Sequence, residues 1–67
     1  MTTMDPSVFT GMGVSGLTAI EIAAQVTAGV GNADRLRGTG MSAQAAALVA
    51  AQINASITDP LVLSGFD

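Results

Sequence analysis

Few side chains in this 67-residue chain could carry chemistry, and they do not form a working set. Histidine and cysteine are absent, and the only charged residues are Asp5, Glu21, Asp34, Arg35, Arg37, Asp59 and Asp67. That removes disulfides and the common zinc ligand sets. Serine and aspartate are available, but with neither histidine nor lysine no familiar nucleophile-and-base pair can be built within one chain. Glu21 is the single acid inside a helical pattern, and a general acid needs a partner group and a cleft. A solvated carboxylate, or one paired with an arginine, is the reading for Glu21. The glycines at 38 and 40 are not followed by the Gly-Lys-Ser/Thr that a phosphate-cradling loop requires. No catalytic, cofactor-binding or metal-binding residue is expected, and no enzyme.

What remains is a question of surface. A chain this short forms one domain at most and buries only about 60% of the surface that its unfolded form exposes. Without disulfides or a metal, oligomerisation is the remaining usual remedy. Apolar residues make up 49% of the chain and charged ones 10%, against the roughly 25–35% charged surface that keeps small domains apart. Protein partners, including copies of itself, are therefore expected. With two arginines, no lysine and a net charge of −3, the chain cannot neutralise a run of phosphates, so nucleic acid is not an expected partner.

A membrane is disfavoured as well. MTTMDPSVF has neither the basic start nor the apolar core of a secretory signal. The longest uncharged window, Gly38–Thr58 (59 − 37 − 1 = 21 residues), is long enough to cross a bilayer, but it carries Gln44, Gln52, Asn54 and several hydroxyls, and its apolar content is mostly alanine.

The elements follow from local signals. Residues 1–13 hold Asp5-Pro6 and two glycines, which favour an extended N-terminal arm anchored by Phe9, or a disordered tail. Gly16–Ala28 reads as a helix, capped by Ser15 or by a Thr18/Glu21 box and stopped by Gly29. Its polar stripe is Thr18, Glu21 and Gln25; being apolar elsewhere, it should be buried on more than one side. Asn32 and Gly38 bracket a single turn, Ala33–Arg37, with Leu36 pointing inward. Arg35 and Arg37 either bridge to carboxylates of a neighbouring subunit or solubilise this corner. Ala43–Ser56, capped by Ser42, is a second helix whose alanines allow close approach. Residues 57–67 form a C-terminal arm in which Asp59-Pro60 repeats the N-terminal dipeptide. There Leu61-Val62-Leu63 is β-prone and Phe66 lies behind it.

The two helical stretches are related by a shift of 27 positions (38 − 11). It places Gly11, Gly13, Ser15, Ala19, Ala23, Ala24, Gln25 and Ala28 on Gly38, Gly40, Ser42, Ala46, Ala50, Ala51, Gln52 and Ala55. Two similar turn-and-helix units are implied. The expected fold is all-α: one module, 1–67, with a small helical hairpin at 14–56 (two alanine-rich helices plus the short turn) between extended arms at 1–13 and 57–67.

The segment N-A-D-R-L-R-G-T-G-M-S-A-Q-A-A at 32–46, with A-A-Q-I-N at 50–54, resembles short modules of small tailed-bacteriophage virion proteins. The resemblance covers about a third of the chain. It implies a structural protein located in the virion: a capsid decoration or cement protein, a head-fibre protein, or a connector or tail component. The absence of a coiled-coil or β-repeat shaft favours the cement type. Its partners would be the major capsid protein or other virion proteins, met through Phe9, Leu61, Val62, Leu63 and Phe66, with Arg35 and Arg37 setting register. A small membrane-active, holin-like protein is the alternative from another class.

Overall fold

A computed structural model describes residues 3–66 of the chain. The fold is all-α, as expected, with no strand among the described residues: α1 Pro6–Thr10, α2 Gly16–Ala28, α3 Ala33–Arg37, α4 Ala43–Asn54 and α5 Pro60–Leu63. The bounds of α2 and α3 are the expected ones, but of the caps only Asn32 makes its bond, accepting from Arg35 N at 3.2 Å; Ser15 makes no capping bond and donates instead to Thr18 Oγ1. α4 stops two residues before Ser56, which takes the left-handed conformation at φ 66°. Met1, Thr2 and Asp67, the outermost residues of the two expected arms, lie outside the described residues.

The arms themselves are corrected by the structure, because each carries a short helix. Asp5 and Asp59 are N-caps, with their carboxylates accepting from the Ser7 and Leu61 amides at 3.0 Å. Pro6 and Pro60 stand at the first helical position, where the missing N–H costs nothing and the fixed φ suits a helix. Asp-Pro is thus a helix start here and not an extended dipeptide. The same start turns the β-prone Leu61-Val62-Leu63 into a helical turn. The Cα radius of gyration, 10.1 Å, is close to the roughly 11 Å of a compact chain of this length.

The 27-residue shift governs far more of the molecule than the two long helices. It carries α1 onto α3, and α3 onto the start of α5; the N-caps Asp5, Asn32 and Asp59 fall in register. Phe9, Leu36 and Leu63 fall in register too, and all three are fully buried. The left-handed Gly29 matches the left-handed Ser56. Even a connecting hydrogen bond recurs: Met4 N donates to Thr27 Oγ1 at 3.0 Å, and Gly31 N to Asn54 Oδ1 at 2.8 Å. The chain is therefore built from a structural unit of short helix, glycine turn and serine-started helix, seen at 5–31 and 32–58, with the opening of a third at 59–66.

Within each unit the short helix packs on the long one, α1 on α2 and α3 on α4. The long helices bury matching positions: Ala19, Ile22, Ala23 and Val26 in α2, and Ala46, Val49, Ala50 and Ile53 in α4. These residues and the three short-helix anchors form one core. Approach is closest at Gly31, where a Cβ would fall within 2.8 Å of Ala50 Cα, so only glycine lets the α2–α3 connection lie on α4.

The C-terminal helix offers a paired test. Leu63→Ala should cost about 2–5 kcal/mol and leave so small a domain largely unfolded, while Leu61→Ala, at a position 72% exposed, should stay within about 0.5 kcal/mol of the parent. Urea titration followed by circular dichroism reads both, and equal, small effects would contradict the docked position of α5.

Candidate functional site

Because the units repeat, the seam between consecutive units occurs twice, and its two versions differ in chemistry. The first seam is polar. Gln25, buried on α2, accepts from Asn32 N at 2.9 Å through Oε1, and its Nε2 donates to Asn32 O at 3.1 Å and to Glu21 Oε2 at 3.0 Å. Both N–H donors and the carbonyl oxygen of that side-chain amide are engaged, and it holds the next unit's cap residue. Glu21 in turn receives Arg35 Nε at 3.2 Å and Arg35 Nη2 at 3.4 Å. The Arg35 guanidinium, and then the Gln25 amide, hold the Glu21 carboxyl below its usual range.

Further along the same seam runs a line of hydroxyls. Thr39 donates to Leu36 O at 2.6 Å. Having one proton, it must accept from Thr18 at 3.0 Å, and Thr18 must then accept from Ser15 at 2.9 Å. The proton order is thereby fixed, and it ends on a peptide carbonyl, which is not a base. These hydroxyls line a cleft of about 400 Å³ between the two glycine turns, Gly13–Ser15 and Gly40–Ser42, with Met41 and Phe66 on its apolar side. Among the described residues no group of His, Cys, Asp or Glu side chains is placed to hold a metal ion.

In the second seam four of these polar positions are apolar. Thr18 and Thr39 correspond to Ala45 and Phe66, which line one shallow groove together. Glu21 and Arg35 correspond to Leu48 and Val62, 49% and 41% exposed. Gln25 corresponds to Gln52, whose Oε1 is buried with no hydrogen-bond partner among the described residues. With leucine at 48, Gln52 also lacks the carboxylate that Gln25 uses.

The residues expected at an interface divide accordingly. Phe9 and Leu63 are fully buried in the chain's own core, and Phe66 is half-buried against it; they complete this molecule and are not presented to a partner. Both arginines are engaged within the chain, Arg35 with Glu21 and Arg37 with Asp34, so neither is a free bridge to a neighbour. Leu61 and Val62 remain exposed. Sequence reading missed Leu48, and it also missed the outer side of α2, where Leu17 and Ile20 are 70% and 58% exposed instead of covered on a second side. Comparing the units position by position carries the signal: leucine stands at 48 where its counterpart is Glu21.

No protein-family model matches the chain, and neither a curated protein nor a solved structure gives a match.

Two predictions come from the seams. Gln25→Met should destabilise by about 0.5–1.5 kcal/mol, since it removes the part-buried bonds that the Gln25 amide makes to the Asn32 backbone, while Gln52→Met, which removes an unpaired buried oxygen, should be neutral or stabilising; urea midpoints compare them. Glu21's carboxyl is lowered on folding, so its contribution is present above the unfolded value and is lost as pH falls through the folded one. Asp5 is lowered as well, by its bonds from Ser7, and adds with the same sign. Thermal midpoints should fall below about pH 4.5, and Glu21→Gln should flatten that fall. A steeper dependence in the variant would contradict the assignment.

Proposed function

We propose that this chain is a non-enzymatic structural interaction protein that coats or bridges a larger protein shell, of the capsid decoration or cement type, in the virion of a tailed bacteriophage. The observation that carries the docking role is the pair Leu48 and Val62. Their counterparts in the preceding unit are Glu21 and Arg35, an ion pair, so the fold accepts charge at these positions and does not need leucine and valine there. An apolar surface that folding does not require is best accounted for by a partner.

Leu61, at 72% exposure, extends this surface over α5. Binding energy on this reading comes from apolar burial at about 25 cal/mol per Å². Because α5 is already docked through Leu63, little ordering cost is charged against it. The virion setting is supported by the resemblance of residues 32–46 and 50–54 to phage structural modules. The holin-like alternative loses support, because no helix among the described residues is long and apolar enough to cross a membrane.

The test writes the first seam's ion pair into the second. The Leu48→Glu/Val62→Arg double variant should keep the helical spectrum and a thermal midpoint within a few degrees of the parent, as surface substitutions usually do. It should lose co-sedimentation with assembled capsid shells of the phage that carries this chain by at least about tenfold. A parent chain that stays in the supernatant at every concentration, or a variant that sediments equally well, would sink the reading.

A further inference from the structure

A second apolar surface lies on α2, apart from the one over α4 and α5. Leu17, Ile20, Ala24 and Ala28 follow one another at spacings of three, four and four and are all exposed, so they form one stripe along the helix. Their counterparts on α4 are Gln44, Ala47, Ala51 and Ala55, which are also exposed. The same face of the same unit thus carries glutamine and alanine in one copy of the repeat and leucine and isoleucine in the other. Folding does not ask for the larger residues.

Beside the stripe runs an open groove of about 430 Å³, lined chiefly by Met4, Pro6, Ile20, Ala24, Thr27 and Ala28. Its one hydroxyl is already engaged: Thr27 Oγ1 accepts from Met4 N and donates to Ala23 O at 2.9 Å. A visitor to this groove is offered shape and apolar contact alone.

We propose that this stripe is a two-fold self-association surface, on which α2 of a second copy packs antiparallel so that Leu17 meets Ala28 and Ile20 meets Ala24. The size pattern favours that occupant. Large side chains fill the N-terminal half of the stripe, and alanines with the groove beside them fill the C-terminal half. An antiparallel copy sets large against small at both ends, and a two-fold axis makes the two contacts identical.

Charge agrees with it. Glu21 is the only charged residue on α2, and Arg35 neutralises it within the chain. Asp5, beside the groove, is turned towards Ser7 N. Two copies of a chain with net charge −3 therefore meet at this face without a row of like charges.

The chain has no cysteine of its own, so single cysteines report the register directly. Full-length chains bearing Leu17→Cys and Ala28→Cys, mixed in equal amounts and oxidised, should give the 17–28 heterodimer several-fold in excess over either homodimer. Sedimentation velocity of the parent should show a concentration-dependent species at twice 6.6 kDa. The Leu17→Gln/Ile20→Ala variant, which takes the residue types that α4 already carries at these positions, should stay folded and weaken that dimer at least tenfold. The Leu48→Glu/Val62→Arg variant should dimerise like the parent, which separates this surface from the shell-binding one. A parent that is monomeric throughout, a dimer unchanged by Leu17→Gln/Ile20→Ala, or a dominant 17–17 disulfide would each overturn the proposal.

Discussion

Three large side chains, Phe9, Leu36 and Leu63, each carried by a helix of four or five residues, close the interior of this protein. Helices that short are unstable alone, because nucleation fixes several residues for one hydrogen bond. They persist because an Asx cap satisfies the first amides and the anchor enters a shared core. Two longer alanine-rich helices could not supply that core, since alanine buries too little area. The anchors convert a pair of slender helices into a filled globule, and everything on the surface follows from the fact that the interior is already complete.

Repetition then provides a comparison inside one molecule. The same seam is built once with a satisfied amide, an ion pair and a hydroxyl line, and once with alanine, phenylalanine, leucine and valine. Where two versions of one environment fold alike, the difference between them is not dictated by folding. The same logic separates the greasy outer face of α2 from the bland outer face of α4. Apolar residues on a small protein are otherwise hard to interpret, since much of any protein surface is apolar; here the counterpart residue supplies the reference. The unpaired Gln52 fits the same picture, as the polar counterpart of Gln25 without the surroundings that satisfy Gln25.

Much of the fold was legible in the sequence. The bounds of α2 and α3, the Asn32 cap and the inward direction of Leu36 follow from spacing and residue type, and an arginine partner is one of the two readings for Glu21. The capping bond expected of Ser15 or of Thr18 with Glu21 is absent, because Ser15 donates to Thr18 and Glu21 is held by Arg35 and Gln25. The ends were misread because Asp-Pro has two meanings, an extended dipeptide or an N-cap followed by the first helical residue. Only the burial of Phe9 and Leu63 selects the second. The repeat was visible in the long helices, but its extension to Asp5, Asn32 and Asp59 depends on structure more than identity, since aspartate and asparagine do the same capping work. The outward-facing residues were the least legible. Periodicity gives a helix an apolar side, yet it does not say whether this chain or another covers it.

The central claim is that the terminal short helices belong to the same cooperative interior as the long ones, which leaves the exposed apolar residues free for partners. Native-state amide hydrogen exchange, read residue by residue, tests this most directly. Val14 N, bonded to Phe9 O, and Leu63 N, bonded to Asp59 O, should be protected to nearly the same free energy as the amides in the middle of α2 and α4. Rapid exchange at both ends beside protected central helices would show two loose arms on a helical hairpin, and would contradict the account.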